Sequence, residues 1–95
     1  MNSFIYIWFN TVKKKFYIGK HYGSINDGYI CSSKSMLIDY NRNPENFKRR
    51  VLQYVNEIDG NQSLQAELKW LSMIPDNQLG KKYYNLKNKN FGNTR

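Results

Sequence analysis

Residues 3–10, SFIYIWFN, form an unbroken row of aromatic and β-branched side chains, and residues 15–20, KFYIGK, repeat that character after four intervening positions. Such side chains fit a pleated, half-buried surface, and a spacer as short as TVKK leaves room only for a tight turn. An antiparallel hairpin is therefore the strongest constraint on the fold. Opposed positions in an antiparallel pair have a constant index sum. A two- or four-residue loop makes that sum odd, which places Tyr6 and Tyr17 on one face, opposite or diagonal to each other, whereas an odd-length loop or a bulge would separate them. The hairpin can thus present two phenols together.

Ninety-five residues, 40% of them hydrophobic, are enough for one domain, residues 1–95, with one modest core. No apolar run approaches the roughly 20 residues of a membrane span. The apolar N-terminus lacks a basic leader and a small-residue cleavage site, so it reads as a strand. Cys31, the single cysteine, excludes an internal disulfide and a cysteine-built zinc site, and fits a small packing residue. The net charge is +8, with cations at Lys13–Lys14–Lys15, Lys48–Arg49–Arg50, Lys81–Lys82 and Lys87/Lys89. Scattered cations of this kind suit a phosphate backbone better than a membrane, since no basic amphipathic helix stands out.

Residues 22–31 read as a loop with a turn at NDG. A helix over 33–42 follows, capped by Ser32 or Ser33, burying Met36, Leu37 and Tyr40 and stopped by NRNP. Residues 45–58 are ambiguous. Phe47, Val51, Val55 and Ile58 recur at helical spacing, while RVLQYV is also a credible strand, and the pattern alone leans to helix. Residues 60–75 are the clearest helix, with Asn61 or Ser63 as cap and Pro75 beyond the end. With Leu64 at zero, about 100° per residue puts Leu68 at about 40°, Leu71 at about 340°, Ile74 at about 280° and Trp70 at about 240°. Glu67 falls at about 300°, inside that arc. A carboxylate there needs a cationic partner, a metal ion or a cleft. YYNL at 83–86 reads as a short strand or a packed segment, and the last few residues as loosely held.

FIY at 4–6 and YIG at 17–19, followed in order by GKH, GYICSSK, ENF, AELKWL and YYNL, resemble the GIY-YIG nuclease family, in a phage-associated branch with a YIGKH motif. The resemblance spans residues 4–92. It implies an α+β fold, a small three-stranded antiparallel sheet flanked by helices, with the third strand at 47–54 in place of the helix. It also implies a DNA endonuclease of phage type that hydrolyses phosphodiester bonds with one Mg²⁺ or Mn²⁺ ion in a bacterial cytoplasm, as a monomer or homodimer.

On that resemblance Tyr6, Tyr17, Lys20, His21 and Glu67 are the expected catalytic residues. Glu67 would hold the metal through oxygen. Tyr6 is the preferred general base, with Tyr17 as the alternative. A phenol near pKa 10 needs nearby cations to serve, which Lys20, His21 or the metal would supply. Gly19 would admit backbone close to the pocket. Lys34, Asn85, Lys15 and Arg49 are the expected phosphate or DNA contacts. Two departures stand out. Phe4 replaces a glycine, and no arginine lies between Tyr17 and Asn41 to clamp the phosphate, which leaves Lys34 as the nearest cation on the following helix. The competing readings are a non-cutting nucleic-acid binder on the same fold and a small protein-interaction module.

Overall fold

The aromatic and β-branched run at 3–10 does what its side chains dictate. In the computed structural model, which describes residues 2–89, β1 (Asn2–Asn10) is the central strand of an antiparallel sheet ordered β2-β1-β3. β2 (Lys15–Tyr22) returns beside it through a four-residue turn, and β3 (Phe47–Asn56) pairs with its other edge. The buried side chain of Asn10 organises the turn. Its Oδ1 accepts from the amides of Val12 and Lys13, both at 3.1 Å, and Lys14 takes the left-handed conformation at φ 59°. The β1–β2 register runs from Ser3 opposite Tyr22 to Asn10 opposite Lys15, a constant and odd index sum. Tyr6 therefore faces Gly19 and Tyr17 faces Trp8, and the two phenol rings lie diagonally on one face with centroids 6.2 Å apart.

The alternation of β1 divides the hydrophobic residues between two cores. Phe4, Tyr6 and Trp8 pack with Cys31, Met36, Phe47 and Tyr84 beneath α1 (Lys34–Arg42) and the preceding loop. Ile5 packs with Ile18, Val55, Ala66 and Ile74 beneath α2 (Gln62–Leu71). Two helices on a three-stranded antiparallel sheet make the α+β architecture expected from the sequence. Cys31 is buried in the first core, and that burial pushes its thiol pKa up. α1 starts as expected, with Ser33 Oγ accepting the Met36 amide at 3.2 Å. Among the described residues no helix is long and apolar enough to cross a membrane.

Three features depart from the sequence pattern. Residues 47–56 are strand, as the resemblance implies for 47–54 and against the helical lean of the pattern, and a bulge explains why they look helical. Ile5 pairs with Gln53 and the next residue, Tyr6, pairs with Val51, so Leu52 is an extra residue in β3. Before the bulge Phe47 and Val51 share the face of Trp8 and Tyr6, and after it Val55 lies in the second core. An apolar residue every fourth position thus serves both faces of one strand. Ile58, the last of that series, is 80% exposed.

α2 is shorter than expected, ending at Leu71, four residues before Pro75. Asn61 precedes it without a side-chain cap. The Glu57 carboxylate takes over, accepting the Ser63 amide at 3.0 Å and also the Ser63 hydroxyl. A carboxylate suits the positive end of a helix dipole. The helix is also rotated from its apparent apolar arc. Ser63 and Ala66 are its buried residues, and small side chains there let it approach the sheet closely, while Leu64 and Leu68 are only half-buried. The segment after α2 packs along the outer edge of β2, and the expectation for the last few residues lies outside the described ones.

Asp39 of α1 ties three distant segments together. It meets Lys13 Nζ of the hairpin turn at 3.0 Å and accepts from the Tyr84 hydroxyl at 2.8 Å. The Tyr84 hydroxyl in turn accepts from Asn10 Nδ2 at 3.0 Å. Burial alone would raise the Asp39 pKa, but the Tyr84 and Lys13 contacts outweigh it and leave the carboxyl below its ordinary range. A depressed carboxyl contributes stability above its unfolded pKa of roughly 3.9, and that contribution is lost as pH falls through the folded value. Asp39→Asn should cost about 1 kcal/mol at pH 7. Urea titrations should show the gap from wild type closing as pH is lowered below about 4.

Candidate active site at the outer edge of the sheet

β2 is an edge strand, and an open edge needs partners for its outward backbone groups. Residues 82–85 supply them. The Phe16 amide donates to the Lys82 carbonyl at 2.9 Å, and the Tyr84 amide donates to the Phe16 carbonyl at 2.7 Å. At the next outward position a side chain replaces the backbone. Asn85 Oδ1 accepts the Ile18 amide at 2.9 Å, and Asn85 Nδ2 donates to the Ile18 carbonyl at 2.8 Å. Asn85 is buried and its amide is engaged with Ile18, so its role is to hold the main chain between Tyr17 and Gly19.

An open cleft of about 740 Å³ lies over this edge, lined among others by Tyr17, Lys34, Glu67, Tyr84 and Asn85. Four separate segments contribute: β2, the start of α1, the middle of α2 and the C-terminal stretch. Tyr17 reaches the cleft from one face of the sheet. It is half-buried, and its hydroxyl lies 3.2 Å from Ser32 Oγ. Burial raises its pKa, the Ser32 hydrogen bond opposes that shift, and the Glu67 charge adds to it. Glu67 arrives from the other face, on α2. Its carboxyl pKa is raised by burial and partly restored by Lys20, whose Nζ is 4.0 Å from Oε1.

Tyr6 lies behind this surface. It is 1% exposed, and burial pushes its phenol pKa far up, with the neighbouring Tyr17 adding to the shift. Its ring rests on the bare Cα of Gly19, where an added Cβ would stand 2.4 Å from the Tyr6 hydroxyl and 2.8 Å from a Tyr17 ring carbon. Gly19 is therefore the seat of both phenols.

The other expected residues divide between the cleft and its surroundings. Lys34 is exposed at the first turn of α1, on the cleft lining. Lys15 lies beside the cleft, its Nζ 4.5 Å from the Tyr84 ring centroid. Lys20 points to the α2 side with Glu67. His21 shares the face of Tyr17 two rungs along but does not line the cleft. It stacks on Tyr29 at 4.1 Å, nearly parallel, and its Nε2 is 2.6 Å from Asp27 Oδ2. Arg49 is elsewhere. It packs over Phe4 and Trp8 and donates to the Ile25 carbonyl at 2.6 Å, bracing the loop against β3.

Three participants carry little local signal in the sequence. Ser32 was visible only as a helix cap, Asp27 only as a turn residue, and Tyr84 only as one of two adjacent tyrosines. Each acts on a partner at least six positions away, which no local pattern encodes.

Among the described residues no group of three or more His, Cys, Asp or Glu side chains is placed to hold a metal ion. A single carboxylate is nevertheless compatible with Mg²⁺, which keeps most of its waters and shares substrate phosphates. Glu67 fits that requirement, since it lines the cleft, is half-buried and accepts no hydrogen bond from the described residues. The chain matches no protein-family model, no curated protein and no solved structure.

Gly19→Ala should force the two phenols apart. Overpacking of this kind costs about 1–3 kcal/mol. A fall in Tm of at least about 5 °C is expected by differential scanning calorimetry. An unchanged Tm would show that the Tyr6 ring is not confined there.

Proposed function

We propose that this chain is a divalent-metal-dependent DNA endonuclease of the GIY-YIG type. The observation that carries the reading is the convergence of Tyr17, Lys34, Glu67 and Asn85 in one cleft, from positions far apart in the chain. These are residues that the sequence resemblance selects independently of any coordinates. A basic chain of net charge +8 also favours a polyanionic substrate.

In this reading the scissile phosphate enters the cleft between Tyr17 and Glu67. Lys34 and Lys15 attract it as point charges, without the bidentate geometry of an arginine. Glu67 would hold a Mg²⁺ or Mn²⁺ ion, which would supply positive charge to neutralise the phosphate and stabilise the departing 3′-oxygen. Tyr17, and not Tyr6, is the phenol that meets the attacking water, because Tyr6 is sealed beneath Gly19 and Tyr17 borders the cleft. Tyr6 positions the Tyr17 ring from behind. Ser32 fixes the Tyr17 hydroxyl, and Asn85 fixes the main chain of the adjacent Ile18. Burial makes the Tyr17 phenolate scarce in the free protein, so its deprotonation depends on positive charge arriving beside it.

One observation favours the non-cutting alternative: Lys20 Nζ lies 4.0 Å from Glu67 Oε1 and would compete with a metal ion for the carboxylate.

Nicking of supercoiled plasmid separates the two readings. Wild type should cut with Mg²⁺ or Mn²⁺ and stop in EDTA. Glu67→Ala should lose cleavage while still binding DNA, and Tyr17→Phe should slow it by roughly 10²- to 10⁴-fold. DNA binding without cleavage in wild type would sink the nuclease reading.

The pH dependence has a defined sign. Burial shifts ionisation of the Glu67 carboxyl to higher pH than an ordinary Glu, with Lys20 opposing the shift, and burial likewise moves the Tyr17 phenolate further to the alkaline side. The cleavage rate should therefore climb as pH rises from acid and keep climbing above pH 8. A rate falling over that range would contradict Tyr17 as the base.

A further inference from the structure

The second face of the sheet is only partly covered. α2 lies over Ile5, Ile18 and Val55, whereas the hairpin end of the same face carries a row of aromatic rings. Phe9 opposes Phe16 on β2 and Lys48 on β3, and directly opposed residues share a face. The Phe9 and Phe16 rings are stacked with centroids 4.6 Å apart, and Tyr83 continues the row at 5.4 Å from Phe16. Neither Phe9 nor Phe16 belongs to either hydrophobic core, and both retain part of their surface in solvent.

The surroundings of this row are cationic. Lys14 Nζ sits 5.9 Å from the Phe9 ring centroid, Lys48 is exposed on the same rung, and Arg50 is exposed on the next. Lys82 immediately precedes Tyr83 and is also exposed. Among the described residues none of these four cations forms an ion pair with a carboxylate. An ordinary cross-strand aromatic pair stabilises a hairpin without needing such a fringe.

We propose that the row Phe9–Phe16–Tyr83, with Lys14, Lys48, Arg50 and Lys82 around it, is a binding platform for single-stranded DNA. Unpaired bases stack on aromatic side chains while nearby cations follow the phosphates. Stacking requires a base face, which a duplex keeps inside its own stack, so the platform favours unpaired strands. The choice of DNA over RNA rests on the nuclease reading, and the platform itself does not. Tyr83 is bonded in series to Tyr84 and Asn85 of the cleft, so a strand lying on the platform would pass close to the candidate site. The protein would then prefer DNA containing unpaired segments.

Binding measured in EDTA is independent of cleavage, so it tests the platform even if the nuclease reading fails. Fluorescence anisotropy with a labelled 15-nucleotide single strand, a matching duplex and an RNA of the same sequence gives the required comparison. Phe9→Leu and Phe16→Leu keep apolar bulk and remove the π-face. Each should weaken single-strand binding roughly 5- to 100-fold, with duplex binding changed far less. Lys48→Gln, at an exposed position that does not threaten folding, should lower the salt slope for single-strand binding by about 0.7. The proposal is overturned if wild type binds the duplex as tightly as the single strand. It is also overturned if the leucine variants, with Tm near wild type, bind the single strand unchanged, or if Lys48→Gln leaves the salt slope unaltered. Tighter binding to the RNA would replace the assigned ligand.

Discussion

The pairing of Asn10 with Lys15 assigns a face to every residue of the first two strands, and the rest of the molecule follows from it. One residue of slippage would exchange the faces of a whole strand. Tyr17 would then leave Tyr6, and Lys20 would leave Glu67. The turn that sets this register depends on one buried polar side chain. Asn10 accepts two turn amides and donates to the Tyr84 hydroxyl, so the hairpin is locked both locally and by the C-terminal segment. That arrangement explains how a polar residue is tolerated at 2% exposure: its hydrogen-bonding groups are engaged.

The outer edge of β2 is the other organising element. An edge strand exposes backbone groups that invite pairing with another chain. Here the C-terminal segment closes part of that edge with backbone and the next part with the Asn85 amide. The switch from backbone to side chain moves the chain away from the sheet and opens the cleft. One device therefore protects the edge and shapes the candidate site. It also brings residues near position 85 beside residues near position 17, and both faces of the sheet reach the same opening.

Much of the fold was legible because its signals are local. The hairpin followed from composition and spacer length, and the side-by-side tyrosines from parity of the index sum. The helix after Ser33 followed from its cap and apolar spacing. β3 was not legible by pattern, because the bulge at Leu52 converts strand alternation into a four-residue repeat that resembles a helix. The rotation of α2 was also hidden. The arc was drawn through leucines, whereas the residues that seat the helix are Ser63 and Ala66, whose small size matters only against a partner surface.

The chain alone determined that two phenols would share a face of a basic hairpin domain, because strand parity and charge are properties of order and composition. It also singled out Glu67 as a carboxylate out of place on its helix. Only the tertiary structure decided that Tyr6 is sealed against Gly19 while Tyr17 borders the cleft, and that Asn85 serves as a surrogate strand for Ile18. It likewise decided that Arg49 braces a loop away from the cleft. These outcomes depend on which surface each side chain meets across tens of residues of sequence. Burial and hydrogen-bond partnership are set by that meeting, and no local pattern carries it.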